Sequence, residues 1–238
     1  MVDTKANTVS PIPSSALAIY AHPDDAEVSC GGTLAFWSRN GCQVDVVIGT
    51  TGDKGSSDEF VSTNELVCLR EQEIAQSAKL TGISAYHMLK YPDGAISNDE
   101  VLREKLVALM RKLKPEVVLC PDPTSVFFGQ HYYNHRDHRE VGWAVLDSIS
   151  PAVSSPLYFP NTGKAHKVEK VLLSGTSYPD KWVDISTALE VKISALLCHK
   201  TQLRQDPQML AEVIRQRAEE EGRRLGLSYA ESFRQLIL

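Results

Sequence analysis

Four short runs rich in β-formers, residues 16–21, 44–49, 85–91 and 117–120, alternate with four segments of helical periodicity, residues 27–39, 65–80, 99–113 and 137–149. Strands separated by helices of this length are joined by crossovers rather than hairpins, so they lie parallel, and such crossovers are right-handed. The alternation predicts an α/β fold, a Rossmann-like, doubly wound and mostly parallel sheet with helices on both faces. Two later runs, residues 168–174 and 182–185, extend that sheet ahead of a helical C-terminal region. No repeat, low-complexity tract or linker interrupts the pattern, so residues 16–238 read as one domain behind a flexible lead-in of residues 1–15. Ligands of such sheets bind at the carboxyl ends of the strands, which makes the residues just after each early strand the place to look for chemistry.

Composition narrows the function classes. Hydrophobic residues at 42% and charged residues at 23% suit a packed core. Lysine and arginine number 25 against 30 acidic residues, a net charge of -5 with no basic block, so nucleic acid is not the expected partner. No apolar run approaches the ~18 residues of a membrane span and the first fifteen residues lack a signal-peptide core, so no membrane association and a cytoplasmic location are expected. Five cysteines without CxxC spacing read as buried free thiols in a reducing compartment.

Two constellations exceed what structure alone requires. The first strand ends in Ala21-His22-Pro23-Asp24-Asp25-Ala26-Glu27, with Cys30-Gly31-Gly32 following. Asp24 and Glu27 have capping-box spacing, which accounts for one aspartate but not for His22 and Asp25 beside it. The second is His131-Tyr132-Tyr133-Asn134-His135-Arg136-Asp137-His138-Arg139-Glu140, where Asp137 and Glu140 again have the spacing of a box ahead of Val141, Val145 and Ile149. Three of the seven histidines within eight residues exceed the needs of a cap. Imidazole and carboxylate are the usual ligands of catalytic zinc, and both clusters arrive at one sheet edge, so they point to a metal site.

Other features carry less on their own. Residues 49–55 are glycine-rich but lack the GxxxxGK[ST] spacing of a phosphate loop, which disfavours nucleotide binding. Arg70 alone reads as a solvated helix charge, and Asp93-Gly94 after Pro92 as a turn. His199 closes an apolar stripe of Leu189, Ile193, Leu196 and Leu197 and is as consistent with a structural histidine as with a site residue. Residues 229–233 read as packing, and residues 212–224 as the solvated face of a helix.

Taken in order, His-Pro-Asp-Asp at 22–25, the stretch 49–55, Arg70 and Glu73, Asp93-Gly94, His-x-Asp-His at 135–138, His199-Lys200-Thr201-Gln202 and Tyr229-Ala230-Glu231-Ser232-Phe233 resemble the LmbE/PIG-L family of zinc-dependent de-N-acetylases. The resemblance implies His22, Asp25 and His138 as ligands of one Zn2+ per chain, with other divalent metals as substitutes. It implies Asp24 as general base, His135 as a group assisting from the opposite side with Asp137 supporting it, and Arg70 and Asp93 as substrate contacts. Tyr133 matches a mobile active-site tyrosine of mycothiol-pathway members. Ala26 displaces the glutamate of the commoner HPDDE form to Glu27, and this variant looks more like the bacillithiol-type and related small bacterial deacetylases. The implied substrate is a small N-acetylated sugar conjugate containing N-acetylglucosamine, and the implied assembly is a homo-oligomer, a trimer or hexamer.

In that reading zinc activates water and polarises the acetyl carbonyl, Asp24 shuttles the proton, and His135, if protonated and oriented by Asp137, can stabilise the oxyanion or share in acid catalysis. Two alternatives use the same residues. Two histidines and a carboxylate also serve mononuclear non-haem iron oxygenases, although those use HxD spacing on a jelly-roll strand rather than His22-x-x-Asp25 on a strand-to-helix turn. A non-catalytic metal- or sugar-binding module would need the ligands but not the spare carboxylate of Asp24.

Overall fold

The run after the polar lead-in forms β1 (Ser15–Tyr20), and from Ala16 onward every residue of it is buried, as a central parallel strand requires. The computed structural model describes residues 7–56, 60–130, 132–203 and 206–238; His131 and part of the loop before residue 64 lie outside them. The chain continues through α1 (Asp25–Arg39), β2 (Gln43–Thr50), α2 (Thr63–Thr81), β3 (Ala85–Tyr91), α3 (Glu100–Leu113) and β4 (Val117–Pro121). A hairpin of β5 (Phe127–Phe128) and β6 (Tyr132–Tyr133) then leads into α4 (Arg136–Asp147) and a π-helical turn, Ser148–Val153. The last part comprises β7 (Lys170–Ser174), β8 (Lys181–Asp184), α5 (Leu189–Leu196), a 3-10 turn at Lys200–Gln202, α6 (Pro207–Arg223) and β9 (Ala230–Ile237).

The main sheet has seven strands in the order β3-β2-β1-β4-β7-β9-β8. The first five are parallel, and β9 is antiparallel to both of its neighbours. The expected α/β architecture is therefore present. The expectation of a helical C-terminal region is corrected at its end: α5 and α6 are followed by β9, which inserts between β7 and β8. Its sequence, AESFRQLI, interleaves charged and apolar residues and carries no continuous apolar run. Residues 8 and 9 of the lead-in pair with Trp182 of β8.

Alternation along the strands builds two cores. Ala16, Ala18 and Tyr20 of β1 face Leu34 and Trp37 of α1 and Ile193 of α5, whereas Leu17 and Ile19 face Leu102, Leu106 and Met110 of α3 and Val141 and Val145 of α4. Helices thus cover both faces, and the period-2 pattern decides which residue serves which layer.

One irregularity shapes the helix that carries the first motif. Backbone geometry in α1 leaves the helical region at Cys30, with φ -146° and ψ 19°. The amides of Gly32 and Thr33 that follow donate to the carboxylate of Glu231 on β9, at 3.0 and 2.7 Å. Glu231 also pairs with buried Lys192 of α5, whose ammonium donates to the carbonyl of Val28 as well. A side chain inserted into the helix ladder is a known cause of such a kink. Gly32 is needed there, because a Cβ would lie 2.7 Å from Ile185 Cδ1.

Removing Glu231 would strand a buried ammonium and two helix amides. The substitution Glu231→Ala is expected to cost roughly 3–5 kcal/mol, lowering the unfolding midpoint by about 6 °C or more, as read by circular dichroism melting. An unchanged midpoint would show that the carboxylate does not hold the kink.

Candidate active site

The connections of the sheet run outward from β1 through β2 to β3 and then cross back to β4 on the other side of β1. The crevice between the carboxyl ends of β1 and β4 is therefore the topological switch point. His22, Asp24 and Asp25 follow β1 directly. The second motif reaches the same crevice from β4 by way of the β5–β6 hairpin, and His135 forms the N-cap of α4.

Here three donor groups converge. His22 Nδ1 lies 3.2 Å from Asp25 Oδ2 and 3.2 Å from His138 Nε2, and His138 Nε2 lies 3.2 Å from Asp25 Oδ1. Ligands in a tetrahedron around a zinc ion at ~2.0–2.1 Å are spaced about 3.3 Å apart, and the two nitrogens, each with one carboxylate oxygen of Asp25 beside it, have that spacing. The outer nitrogens fix the tautomers. His22 Nε2 faces Asp93 Oδ1 at 3.1 Å and Asp137 Oδ2 at 3.4 Å, and His138 Nδ1 faces Asn134 Oδ1 at 3.1 Å. With those nitrogens donating, the lone pairs of His22 Nδ1 and His138 Nε2 point at one another, an arrangement that suits a cation between them and no direct hydrogen bond. The nitrogens of His22, His135 and His138 also lie within 4.8 Å of one another, as do the donor atoms of His22, Asp93 and Asp137. In the latter group Asp137 Oδ2 already accepts from the amide of Gly94 at 2.7 Å.

Charge reinforces the geometry. Burial works against a charged His22, but Asp25, Asp137 and Asp93 outweigh it and push the imidazole up to about 12. Burial likewise opposes the Asp25 carboxylate, yet His138 and His22 hold it well below the ordinary range. The crevice draws positive charge.

Asp24 behaves differently. Its backbone sits at φ 106°, a conformation costly for a residue with a side chain, and its side chain makes no cap bond to α1. The capping-box alternative therefore does not describe it. Burial, with Asp25 beside it, pushes its carboxyl up to about 7, while His199 and His22 act the other way. Glu27, the other half of that box, is buried instead: it accepts from Tyr86 at 2.8 Å and from Ser77, and lies 3.5 Å from His199. His199 is a fully buried partner of that carboxylate, and its charge reaches Asp24.

His135 stands edge-on to His22 with ring centroids 4.8 Å apart. Its Nδ1 accepts from the backbone amide of Asp137 at 3.2 Å, which leaves the proton on Nε2. Burial and neighbouring His22 lower its pKa, so the ring is a neutral donor rather than an imidazolium. The support expected from Asp137 comes through that amide. Its fully buried carboxylate serves Gly94 and His22 instead, because the first turn of α4 aims it at β1 and β3. The second capping box is absent too, since Glu140 accepts from the amide of Asn98 at 2.7 Å.

Asp24, His22, Asp25 and His135 line a cleft of about 170 Å³ with Gly55, Arg70, Asp93 and Gln202. Arg70 is buried, and its guanidinium donates to the carbonyl of Gly55 at 3.3 Å. A Cβ on Gly52 would fall 1.7 Å from Arg70 Nη1, and one on Gly55 2.5 Å from Nη2, so these glycines exist to let the loop close on the guanidinium. The backbone amide of Asp93 donates to Asp53 Oδ1 at 2.7 Å, which fixes the turn. Gln202 is held through Glu73, which accepts from the amide and hydroxyl of Thr201 at 2.8 and 2.7 Å. Tyr133 is exposed on β6, accepts from Arg139 at 2.5 Å and is not among the residues lining the cleft. Asn134, Asp53 and Gln202 stand inside motifs read from the sequence but received no role there: amides and turn aspartates are common in loops, and only their partners mark them.

Comparison with known proteins places the chain in a family. The family described as PIG-L, GlcNAc-PI de-N-acetylase, matches residues 17–149, the span holding all of the cleft except Gln202. The diacetylchitobiose deacetylase of Thermococcus kodakarensis is 32% identical over 227 residues, 92% of this chain and 81% of that protein. The probable N-acetyl-alpha-D-glucosaminyl L-malate deacetylase 2 of Bacillus cereus is 25% identical over 193 residues, 78% of this chain and 82% of that one. Among solved structures, the N,N'-diacetylchitobiose deacetylase from Pyrococcus horikoshii superposes with a TM-score of 0.86 at 29% identity, covering 94% of this chain and 84% of that chain. On the matched motifs, the shared fold and the extent of both alignments, the chain belongs to the PIG-L family of de-N-acetylases.

Proposed function

We propose that the chain is a metal-dependent amidohydrolase that removes the N-acetyl group from a small molecule containing N-acetylglucosamine, with one zinc ion held by His22, Asp25 and His138. The observation that carries this reading is the convergence of those three donors beside a carboxylate, Asp24, that bonds to none of them and lines the same cleft. When bound, the metal supplies Lewis acidity, lowering the pKa of water toward ~7 and polarising the acetyl carbonyl.

The protein's own groups do the rest. Asp24, poised near neutrality, takes the proton of the attacking water and delivers it to the nitrogen of the leaving amine. His135 donates from Nε2 to the oxygen that gains negative charge. Asp93 and Asp137 hold His22 through Nε2 and strengthen its Nδ1 as a ligand, and Asn134 does the same for His138. Arg70, with Asp93 and Gln202 around it, suits the hydroxyls of a sugar. The two diacetylchitobiose deacetylases among its relatives support a chitin-type saccharide as the substrate class, ahead of the malate conjugate named for the more distant Bacillus relative. An Asp24 set apart from the ligands favours hydrolysis over the oxygenase and the non-catalytic readings. A cytoplasmic trimer or hexamer completes the proposal; no described helix is long and apolar enough to cross a membrane, and Leu157 and Tyr158 are exposed for self-association.

Purified protein is expected to hold about one divalent metal ion per chain by elemental analysis, and His22→Ala to lose it. Unchanged stoichiometry in the variant would refute the ligand assignment, and an iron requirement with oxygen uptake would favour the oxygenase.

Asp24→Asn is expected to fold and retain metal yet lose roughly 10²–10⁴-fold in kcat for amine release from diacetylchitobiose. Turnover near that of the wild type would mean that the carboxylate moves no proton. A non-sugar acetamide hydrolysed equally fast would remove the sugar from the proposal and leave amide hydrolysis standing.

A further inference from the structure

A second opening meets the ligand triad at Asp25. It is a groove of about 460 Å³ in whose wall Asp25, His138 and Asn134 stand beside Tyr20, Phe128 and Tyr132. None of Asp24, His135, Arg70 and Asp93 lines it; they belong to the cleft on the other side. Arg217 and Ser29 stand at the end of the groove that adjoins the next cavity, and near the triad several polar atoms of the wall are committed. Tyr20 Oη is bonded to Ser174 Oγ at 2.8 Å, and the Asn134 side chain donates to the carbonyl of Ser125 at 2.9 Å while its oxygen takes His138 Nδ1. Near the triad, with Val28, Pro121 and the rings of Tyr20, Phe128 and Tyr132, the wall offers mainly carbon to a ligand, which suits a short hydrocarbon better than a second sugar. Val28, Ser29 and Arg217 also line an adjoining cavity of about 230 Å³, so the groove continues past them.

An amide has two substituents on opposite sides of its C–N bond. The nitrogen and its sugar must face the group that protonates the amine, and Asp24 lies in the cleft. The acyl group then extends from the carbonyl carbon past Asp25 and His138. Resting on the deacetylase reading above, we propose that the groove is an acyl subsite and that the protein removes N-acyl chains longer than acetyl, up to about hexanoyl. The volume is more than ten times the ~30 Å³ of a water, roughly the size of one methyl group, so an acetyl group leaves most of it unfilled. In hydrolysis the water oxygen bonds to the acyl carbon and the C–N bond breaks. The amine takes the proton carried by Asp24, and the acyl group leaves along the groove as its carboxylic acid.

The test compares N-acetyl-, N-butyryl- and N-hexanoylglucosamine with the metal-loaded protein, and measures acetate and hexanoate binding by calorimetry. The expected result is kcat/KM for the butyryl and hexanoyl compounds within about tenfold of the acetyl compound or above it, with hexanoate binding at least tenfold more tightly than acetate, since each buried methylene adds to affinity. Val28→Trp, a change on a partly exposed wall residue of α1, should lower the hexanoyl-to-acetyl ratio of kcat/KM by tenfold or more and abolish the preference for hexanoate. Turnover of the acetyl compound without the longer ones would overturn the acyl subsite, as would hexanoate binding no better than acetate, or an equal fall on both substrates in the variant. If no acylglucosamine is cleaved at all, the deacetylase reading falls, and the ratio of hexanoate to acetate affinity decides the groove by itself.

Discussion

Four carboxylates, those of Asp24, Asp25, Asp93 and Asp137, crowd around one imidazole at the point where the sheet's connections diverge, and the surrounding structure is arranged to hold them there. Like charges at such separations in a buried setting repel strongly unless each finds a counter-group. Asp137 has the amide of Gly94, Asp25 has two imidazoles and the amide of His22, and the bond from His22 lowers the pKa of Asp93. Asp24 is left with desolvation and a like charge next door, which outweigh the help of His199 and His22. Environments that drive neighbouring acids apart in pKa can separate their roles: Asp25 and Asp93 are pulled down, Asp24 is pushed up, and on the proposed reading that difference leaves Asp24 as the carboxyl that exchanges a proton.

Strand and helix positions were legible because the dominant signals were local. A parallel strand buried on both faces is a continuous apolar run, and amphipathic helices announce themselves by period; β1 to β4 and α1 to α4 all lie within a few residues of the expected spans. β9 was not legible for the same reason in reverse. It is antiparallel, its Glu231 serves a helix amide pair nearly two hundred residues away, and a charged residue in the middle of a short run argues against burial unless its partner is known. The two-residue strands of the hairpin are too short to carry any period.

The site was legible in its ligand types and not in its wiring. His22, Asp24, Asp25, His135 and His138 do share one crevice, as expected of residues delivered to the same sheet edge from β1 and β4. Which aspartate orients which histidine depends on side-chain directions that spacing does not encode, and so Asp137 proved to face His22 rather than His135. Both capping boxes were false leads of one kind. In each, an acidic residue at the right spacing turns inward to partners distant in sequence, Tyr86, Ser77 and His199 for Glu27 and the Gly94 amide with His22 for Asp137. The glycines after β2 had a reason visible only in three dimensions, the guanidinium of Arg70 pressed against them.

The place of β9 in the sheet has a consequence for how the molecule is made. On a ribosome, His22, Asp25 and His138 emerge long before residues 230–237, yet β8 can join the sheet only through β9, and the kinked helix that begins at Asp25 is clasped by Glu231. Contacts of such sequence separation close late. A nascent chain would carry all three proposed metal ligands while still lacking the strand that clasps the helix beginning at Asp25. Synthesis of β9 thus becomes the step at which a collection of side chains turns into a fixed crevice.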